Sequence, residues 1–221
     1  MIQDSRLLLA IAAFFAAWAA SGKVAEAAAP LTPPVPKPPP AGLPAFKLDF
    51  VRKLYLPAER TASEMFGKDG LGKKRDAIIT QAAHESDWGR SGLSSPGARL
   101  QILPGKAVGP ALNIFGFKSG ADWLRAQSPY VLMWTKEQDP KTGKWERVLA
   151  PFRVYASWEE SLRDWARLMT TRFRYRASAD ALRTGDPLAF FRAVGASGYA
   201  TDKIYGEKLA GVYGSVERAV V

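Results

Sequence analysis

The chemistry in this chain narrows quickly to carboxylates. There is no cysteine and a single histidine, His84, among 221 residues. Thiolate metal sites, disulfides and multi-histidine metal sites are therefore excluded, and a Ser-His-Asp hydrolase is disfavoured. The carboxylate that stands out is Glu85, in Ala82-Ala83-His84-Glu85-Ser86-Asp87-Trp88-Gly89. Lys73–Trp88 reads as a helix closed by Gly89. On it, Ile78, Ala82 and Glu85 share one face. A carboxyl group on an apolar stripe loses solvation of its charged form, so its pKa should rise. A carboxyl that keeps its proton near neutrality can serve as a general acid toward a glycosidic oxygen. The plain alternative is a helix-end Glu paired with Arg90. His84 points about 100° away and reads as a surface or packing residue.

Glycosidases commonly add a second carboxylate. Tyr130–Lys136 and Trp145–Tyr155 are rich in β-branched and aromatic residues, and Asp139-Pro140-Lys141-Thr142-Gly143 lies between them. That is a hairpin with a longer loop. Glu137, near the end of the first strand, is the first candidate for the partner; Glu146, on the returning strand, is the alternative. No metal or organic cofactor is expected. Phe115, Trp123, Trp134 and Tyr199 are candidates for stacking on sugar rings, with core packing as the competing role.

The elements that must hold these groups are mostly helical. Residues 47–66 carry a helical pattern interrupted by Pro57, which is expected to begin a helix rather than sit inside one. Ser157 and Glu160 form a capping box. The helix after it carries Trp158, Leu162, Trp165, Leu168 and Met169 on one stripe. Asp186-Pro187 reads as an N-cap with Pro in the first turn, and Phe190, Phe191 and Val194 continue that face. Thr201-Asp202 is expected to open the last helix, with Tyr205, Leu209, Val212, Tyr213 and Val216 on its stripe. The sum is an α+β domain, mainly helical, with one small hairpin.

Ahead of the domain lies an address. Leu7–Ala20 is an apolar run after Arg6, shorter than the roughly 20 residues a spanning helix needs, and Ala25-Glu26-Ala27 offers a cleavage position. Residues 1–29 are therefore expected to be a signal peptide or an N-terminal membrane anchor. Residues 30–46 follow as a proline-rich linker, with eight of the sixteen prolines between Pro30 and Pro44. Extended as polyproline II, fifteen such residues reach roughly 45 Å. The formal charge of +10 favours polyanions or anionic surfaces. The basic residues are scattered and no nucleic-acid motif is present, so an envelope partner is expected rather than nucleic acid.

Four separated stretches then fall into a known order. Ala82 to Ser91 resembles the Ala-x-x-Glu-Ser-x-Trp-Gly-x-Ser signature of glycoside hydrolase family 73, the N-acetylglucosaminidases. Asn113-Ile114-Phe115-Gly116-Phe117-Lys118 resembles its Asn-Leu-Phe-Gly-Ile-Lys. Phe152-Arg153-Val154-Tyr155 with Ser157, Ser161 and Asp164 resembles its Phe-Arg-x-Tyr-x-Ser block. Gly198-Tyr199-Ala200-Thr201-Asp202 with Tyr205 resembles its Gly-Tyr-Ala-Thr-Asp-x-x-Tyr.

The resemblance, over roughly residues 50–215, implies a lysozyme-like fold for 47–221. It also implies cleavage of the β-1,4 bond between N-acetylglucosamine and N-acetylmuramic acid in peptidoglycan by an endo-acting enzyme; with the N-terminal address, an exported enzyme of the periplasm or envelope is expected, acting as a monomer. The family's acid falls on Glu85, its hairpin carboxylate on Glu137 and its cleft tyrosine on Tyr199. Asn113, Phe115, Trp123 and Tyr205 are expected to bind substrate. The family leaves two other routes to the second step open: a distant carboxylate acting through water, or the substrate's own acetamido group.

Departures exist. Ser94–Ala111 is longer than in the flagellar members, and Leu100-Gln101-Ile102 faintly resembles a lytic transglycosylase block. A lytic transglycosylase or muramidase, and a non-catalytic wall-binding module, are the competing readings. An acid on an apolar stripe gives a binding module nothing.

Overall fold

The computed structural model describes residues 42–105, 107–138, 144–200 and 202–220, the side chains of 137 and 138 apart. The expected signal or anchor, most of the expected linker and the hairpin loop fall outside the described residues. Helix α1 (Ala45–Phe66) begins two residues inside the stretch expected to be linker. It runs unbroken through Pro57, so the expectation that Pro57 begins a helix is corrected. Phe50, Val51 and Leu54 before the proline, and Ala58, Thr61 and Ala62 after it, are all buried. Burial on both sides of Pro57 outweighs its helix-interior penalty of about 3 kcal/mol.

Helix α2 (Leu71–Ser86) packs against α1 and carries an unusual charge into the core. Lys74 is 1% exposed. Its Nζ donates to the carbonyls of Phe66 at 2.8 Å and Gly67 at 3.1 Å. The ammonium thus satisfies the open carbonyls at the end of α1, where the helix dipole favours a cation.

Two antiparallel ribbons follow. β1 (Leu100–Gln101) pairs with β2 (Val108–Gly109), a small ribbon that the sequence pattern did not announce. After the short helix α3 (Ala121–Arg125), β3 (Tyr130–Gln138) pairs with β4 (Trp145–Arg153). The register sets Val131 against Phe152 and Glu137 against Glu146. Val131, Ala150 and Phe152 turn inward onto a satellite cluster with Ala111.

The remaining helices close the main core. α4 spans Trp158–Thr171, α5 Arg176–Thr184, α6 Pro187–Ala196 and α7 Tyr205–Ala219. Their starts follow local chemistry. Ser157 Oγ accepts from the Glu160 N–H at 3.1 Å, and Asp186 Oδ1 accepts from the Ala189 N–H at 3.0 Å. Both are N-caps as expected, but Glu160 Oε2 accepts from the Ala156 N–H at 2.6 Å, one residue before the N–H that a capping box would use. α7 begins at Tyr205, three residues after the expected Asp202. Trp165 on α4 lies at the centre, stacked on Phe115 with ring centroids 5.3 Å apart and edge-on to Phe190 at 6.2 Å.

The close crossing of α6 and α7 depends on glycine. A Cβ on Gly206 would lie 2.7 Å from the Phe191 carbonyl oxygen, a backbone atom that cannot swing aside. Gly206→Ala is therefore expected to cost about 1–3 kcal/mol as overpacking, read as a lower urea midpoint. Because Gly206 follows Tyr205, activity should fall more than the lost stability alone explains.

Candidate active site

Glu85 is the penultimate residue of α2, with the fully buried Ile78 and Ala82 behind it on the same face. The helix ends two residues earlier than expected. Asp87, Trp88 and Gly89 take φ of 50°, 57° and 76°, three consecutive left-handed residues of which two are not glycine. That conformation is costly and clusters at functional turns. The local sequence explains how it is held. Ser86 Oγ donates to the Ala82 carbonyl at 2.6 Å and accepts from the Gly89 N–H at 2.9 Å. Trp88 packs edge-on to Phe50, and Gly89 lies so close to Phe50 and Trp158 that a Cβ would meet both below 3.0 Å. Ser, Trp and Gly in this motif build the turn that follows Glu85.

The carboxyl is partly buried and accepts at Oε1 from the Tyr205 hydroxyl at 2.5 Å. Burial pushes its pKa up to about 7, against the lowering effect of the Tyr205 hydrogen bond. The alternative ion pair with Arg90 does not form: Arg90 binds Asp87 at 3.0 Å instead. Tyr205 is 2% exposed and its hydroxyl also accepts from Gln81 Nε2 at 3.1 Å. Gln81 and Glu85 sit four apart on α2 and so hold one tyrosine between them. Sequence reasoning missed Gln81, although its i,i+4 relation to Glu85 was readable. Gln81 Oε1 is buried without a partner.

Around this pair lies an aromatic wall. Tyr199 stacks on Tyr205 with centroids 5.7 Å apart and tilts onto Tyr175 at 5.9 Å. The Tyr199 hydroxyl donates to the Phe115 carbonyl at 3.4 Å, and burial beside Glu85 raises its pKa. His84 packs edge-on to Tyr205 at 5.5 Å; burial and the nearby Lys208 lower its pKa. It is a packing residue, as its direction on the helix suggested.

The structure gathers Glu85, Tyr199 and Tyr205, and gives other work to the rest. Tyr205, expected on substrate, spends its hydroxyl on Glu85 and Gln81 instead. Asn113, expected on substrate, is 1% exposed. Its Nδ2 donates to the carbonyls of Phe117 at 2.9 Å and Arg153 at 3.0 Å, and its Oδ1 accepts from the Phe117 N–H at 3.0 Å. Both amide hydrogens are spent on backbone, so Asn113 is a clip between its own turn and β4. Phe115 is 2% exposed and stacked on Trp165; a ring enclosed in the core has no face for a sugar.

Trp123 donates from Nε1 to the Pro129 carbonyl at 2.9 Å and packs edge-on to Tyr155. It lines a hollow of about 490 Å³ with Arg153, Arg167 and Arg172, which shares no lining residue with the Glu85 cluster. Trp134 is exposed beneath the Arg147 guanidinium. The Phe152–Tyr155 block is likewise structural. Arg153 and the Tyr155 hydroxyl both bind Asp164 of α4, the latter at 2.7 Å.

Glu137 and Glu146 oppose one another near the free end of the β3–β4 ribbon. Among the described residues no second carboxylate joins the Glu85 hydrogen-bond cluster, and no group of three or more His, Asp or Glu side chains could hold a metal ion.

A helical domain with a shielded acid at a helix end and a small antiparallel ribbon is of the lysozyme-like class. A profile of the glucosaminidase family, described as mannosyl-glycoprotein endo-β-N-acetylglucosaminidase, matches residues 68–218. The peptidoglycan hydrolase FlgJ of Salmonella typhimurium is 37% identical over 161 residues, 73% of this chain and 43% of that protein. A crystal structure of a peptidoglycan hydrolase mutant from Sphingomonas sp. A1 superposes with a TM-score of 0.60 at 27% identity, covering 78% of this chain and 97% of that one. The C-terminally truncated glycoside hydrolase domain of Salmonella typhimurium FlgJ gives 0.54 at 32% identity, over 77% and 97%. This chain belongs to the glucosaminidase family. It spans less than half the length of the curated relatives it matches.

Proposed function

We propose that this protein is a peptidoglycan N-acetylglucosaminidase that hydrolyses the β-1,4 bond between N-acetylglucosamine and N-acetylmuramic acid, with Glu85 as the general acid. The observation that carries the reading is the Glu85–Tyr205–Gln81 relay on a carboxyl whose pKa is pushed up to about 7. Gln81 donates to Tyr205, so the tyrosine's own proton is directed at Glu85 Oε1. The acid's proton is then carried on Oε2, the oxygen left for the glycosidic bond. Transfer of that proton from Oε2 to the glycosidic oxygen lets the leaving sugar depart as an alcohol while positive charge develops on the adjacent sugar. Glu137 is the group assigned to the second step, by deprotonating water or supporting the developing charge. Tyr199, whose hydroxyl is held only by a long bond to Phe115, is assigned to substrate. No cofactor enters.

Residues 47–221 are the catalytic unit in this reading, carried by the proline-rich spacer behind a signal or tether at Leu7–Ala20. The enzyme acts as an exported monomer in the periplasm or envelope. No described helix is long and apolar enough to cross a membrane.

Mass spectrometry of products from purified peptidoglycan tests the reaction. Reducing-end N-acetylglucosamine is expected. 1,6-Anhydro-muramyl ends would replace the hydrolase with a lytic transglycosylase. Intact glycan would leave a wall-binding module. A second measurement tests the relay. Tyr205→Phe removes a hydrogen bond that lowers the Glu85 pKa, so the alkaline limb of kcat/KM should move to higher pH. It also leaves Gln81 buried with neither end partnered, at about 1–3 kcal/mol of stability. An unmoved alkaline limb would show that Tyr205 does not tune the acid.

A further inference from the structure

The outward face of the β3–β4 ribbon carries a surface that the proposed reaction does not use. Leu132, Trp134 and Lys136 on β3, and Trp145, Arg147 and Leu149 on β4, all point to solvent. Trp134 is 58% exposed and Trp145 60%. The register sets Trp134 directly across from Leu149 and Lys136 directly across from Arg147, and the Arg147 guanidinium lies 4.9 Å from the Trp134 ring centroid. No acidic residue occupies an outward position from Tyr130 to Lys136 or from Trp145 to Arg153. Four large apolar side chains on one face of two strands are more than scattered surface exposure.

The chemistry of the face decides its occupant. A surface built for sugar needs several carboxylates or amides to accept hydroxyl protons; this face has one amide position, Gln138 across from Trp145, and no carboxylate. Aliphatic tips such as Leu132 and Leu149 give a sugar no ring to stack on. Indole rings, leucines and cations interleaved without acids instead match the lipid–water interface. There tryptophan sits at headgroup depth, leucine reaches the acyl boundary and Lys or Arg meets phosphate. A positive face with no acid also selects an anionic surface over a neutral one. We propose that the outward face of the β3–β4 ribbon docks on an anionic phospholipid bilayer.

The chain contains no cysteine, so Leu149→Cys in the full chain accepts a single polarity-sensitive fluorophore. Vesicles of phosphatidylcholine with phosphatidylglycerol are expected to shift its emission to the blue; phosphatidylcholine alone should leave it unchanged. The shift should shrink as salt is raised, because exposed charges are screened, a readout that needs no further substitution. Adding Lys136→Glu and Arg147→Glu should abolish it. The same label at Arg176→Cys, exposed on α5, should stay unshifted, so an N-terminal segment bound to lipid does not mimic the result. Adding Glu85→Gln should leave the shift intact, which keeps failure of docking separate from failure of catalysis. No shift at position 149 on anionic vesicles overturns the proposal. So does an equal shift at 149 and 176, which would mean adsorption by net charge alone. A shift produced by solubilised glycan strands and not by vesicles assigns the face to glycan and overturns it as well.

Discussion

Glu85→Gln is expected to lower turnover on purified peptidoglycan by about 10³-fold, within the range by which positioned acids contribute to catalysis. Glutamine keeps the shape of the side chain and can accept the Tyr205 hydrogen bond at its oxygen, but it has no proton to give. The loss should appear in kcat and kcat/KM together, since an interaction made only in the transition state has been removed. Wall binding should persist, and zymogram clearing should vanish. Retained lysis would end the assignment of Glu85.

The same substitution has a second, opposite consequence that guards against misreading a folding defect. The folded carboxyl has a pKa of about 7 against an ordinary 4.5. Below pH 4.5 it is protonated in both states and costs nothing. Between 4.5 and 7 the unfolded chain releases the proton while the folded chain keeps it, so stability falls as pH rises. Above 7 the burial of the charge is felt in full, a penalty of up to about 3 kcal/mol at 1.36 kcal/mol per pKa unit. Glutamine never ionises. The variant's Tm should therefore exceed the wild type's above pH 7, with the gap closing as pH falls toward 4.5. An inactive variant more stable than its parent at pH 8 identifies a residue retained for chemistry at a cost to the fold. In the wild type, the acid form is depleted above pH 7, so the alkaline limb of kcat/KM should fall there.

What the sequence disclosed is the chemistry that neighbours along the chain determine. The apolar face behind Glu85, the caps at Ser157 and Asp186, and the pairing of β3 with β4 all follow from periodicity or from side chains bonding backbone a few residues away. What it withheld was decided across the core. Pro57 is read as a boundary by local rules, and only the burial of Leu54 and Ala58 on either side keeps the helix running. Tyr205 lies 120 residues from Glu85, so its role as the acid's partner rather than a substrate contact depends on α7 crossing α6 at Gly206. Asn113 and Phe115 carry a family signature, yet one is a backbone clip and the other sits against Trp165. A motif marks positions that cannot vary freely, without saying whether turn-building or catalysis imposes the constraint.

Glu137→Gln is expected to reduce turnover by about 10²-fold, the lower end of what a general base contributes, while Glu146→Gln stays within a few-fold of wild type. The ribbon register places the two glutamates at directly opposed positions. Like charges so placed disfavour a two-stranded ribbon, and a strand pair without a use for them gains by losing one. Either substitution should therefore leave the fold as stable as before or slightly more so, which separates a catalytic loss from damage to the hairpin. The choice between them rests on chain position: Glu137 ends Thr135-Lys136-Glu137, where the resemblance puts the family's hairpin carboxylate. If Glu146→Gln is the damaging change, the base moves across the ribbon. If neither matters, two routes remain: a carboxylate outside the ribbon acting through water, or the 2-acetamido group of the substrate as internal nucleophile. The second makes its own demand, since replacing the acetamido oxygen with sulfur would slow it sharply, whereas a carboxylate base would be indifferent to the change.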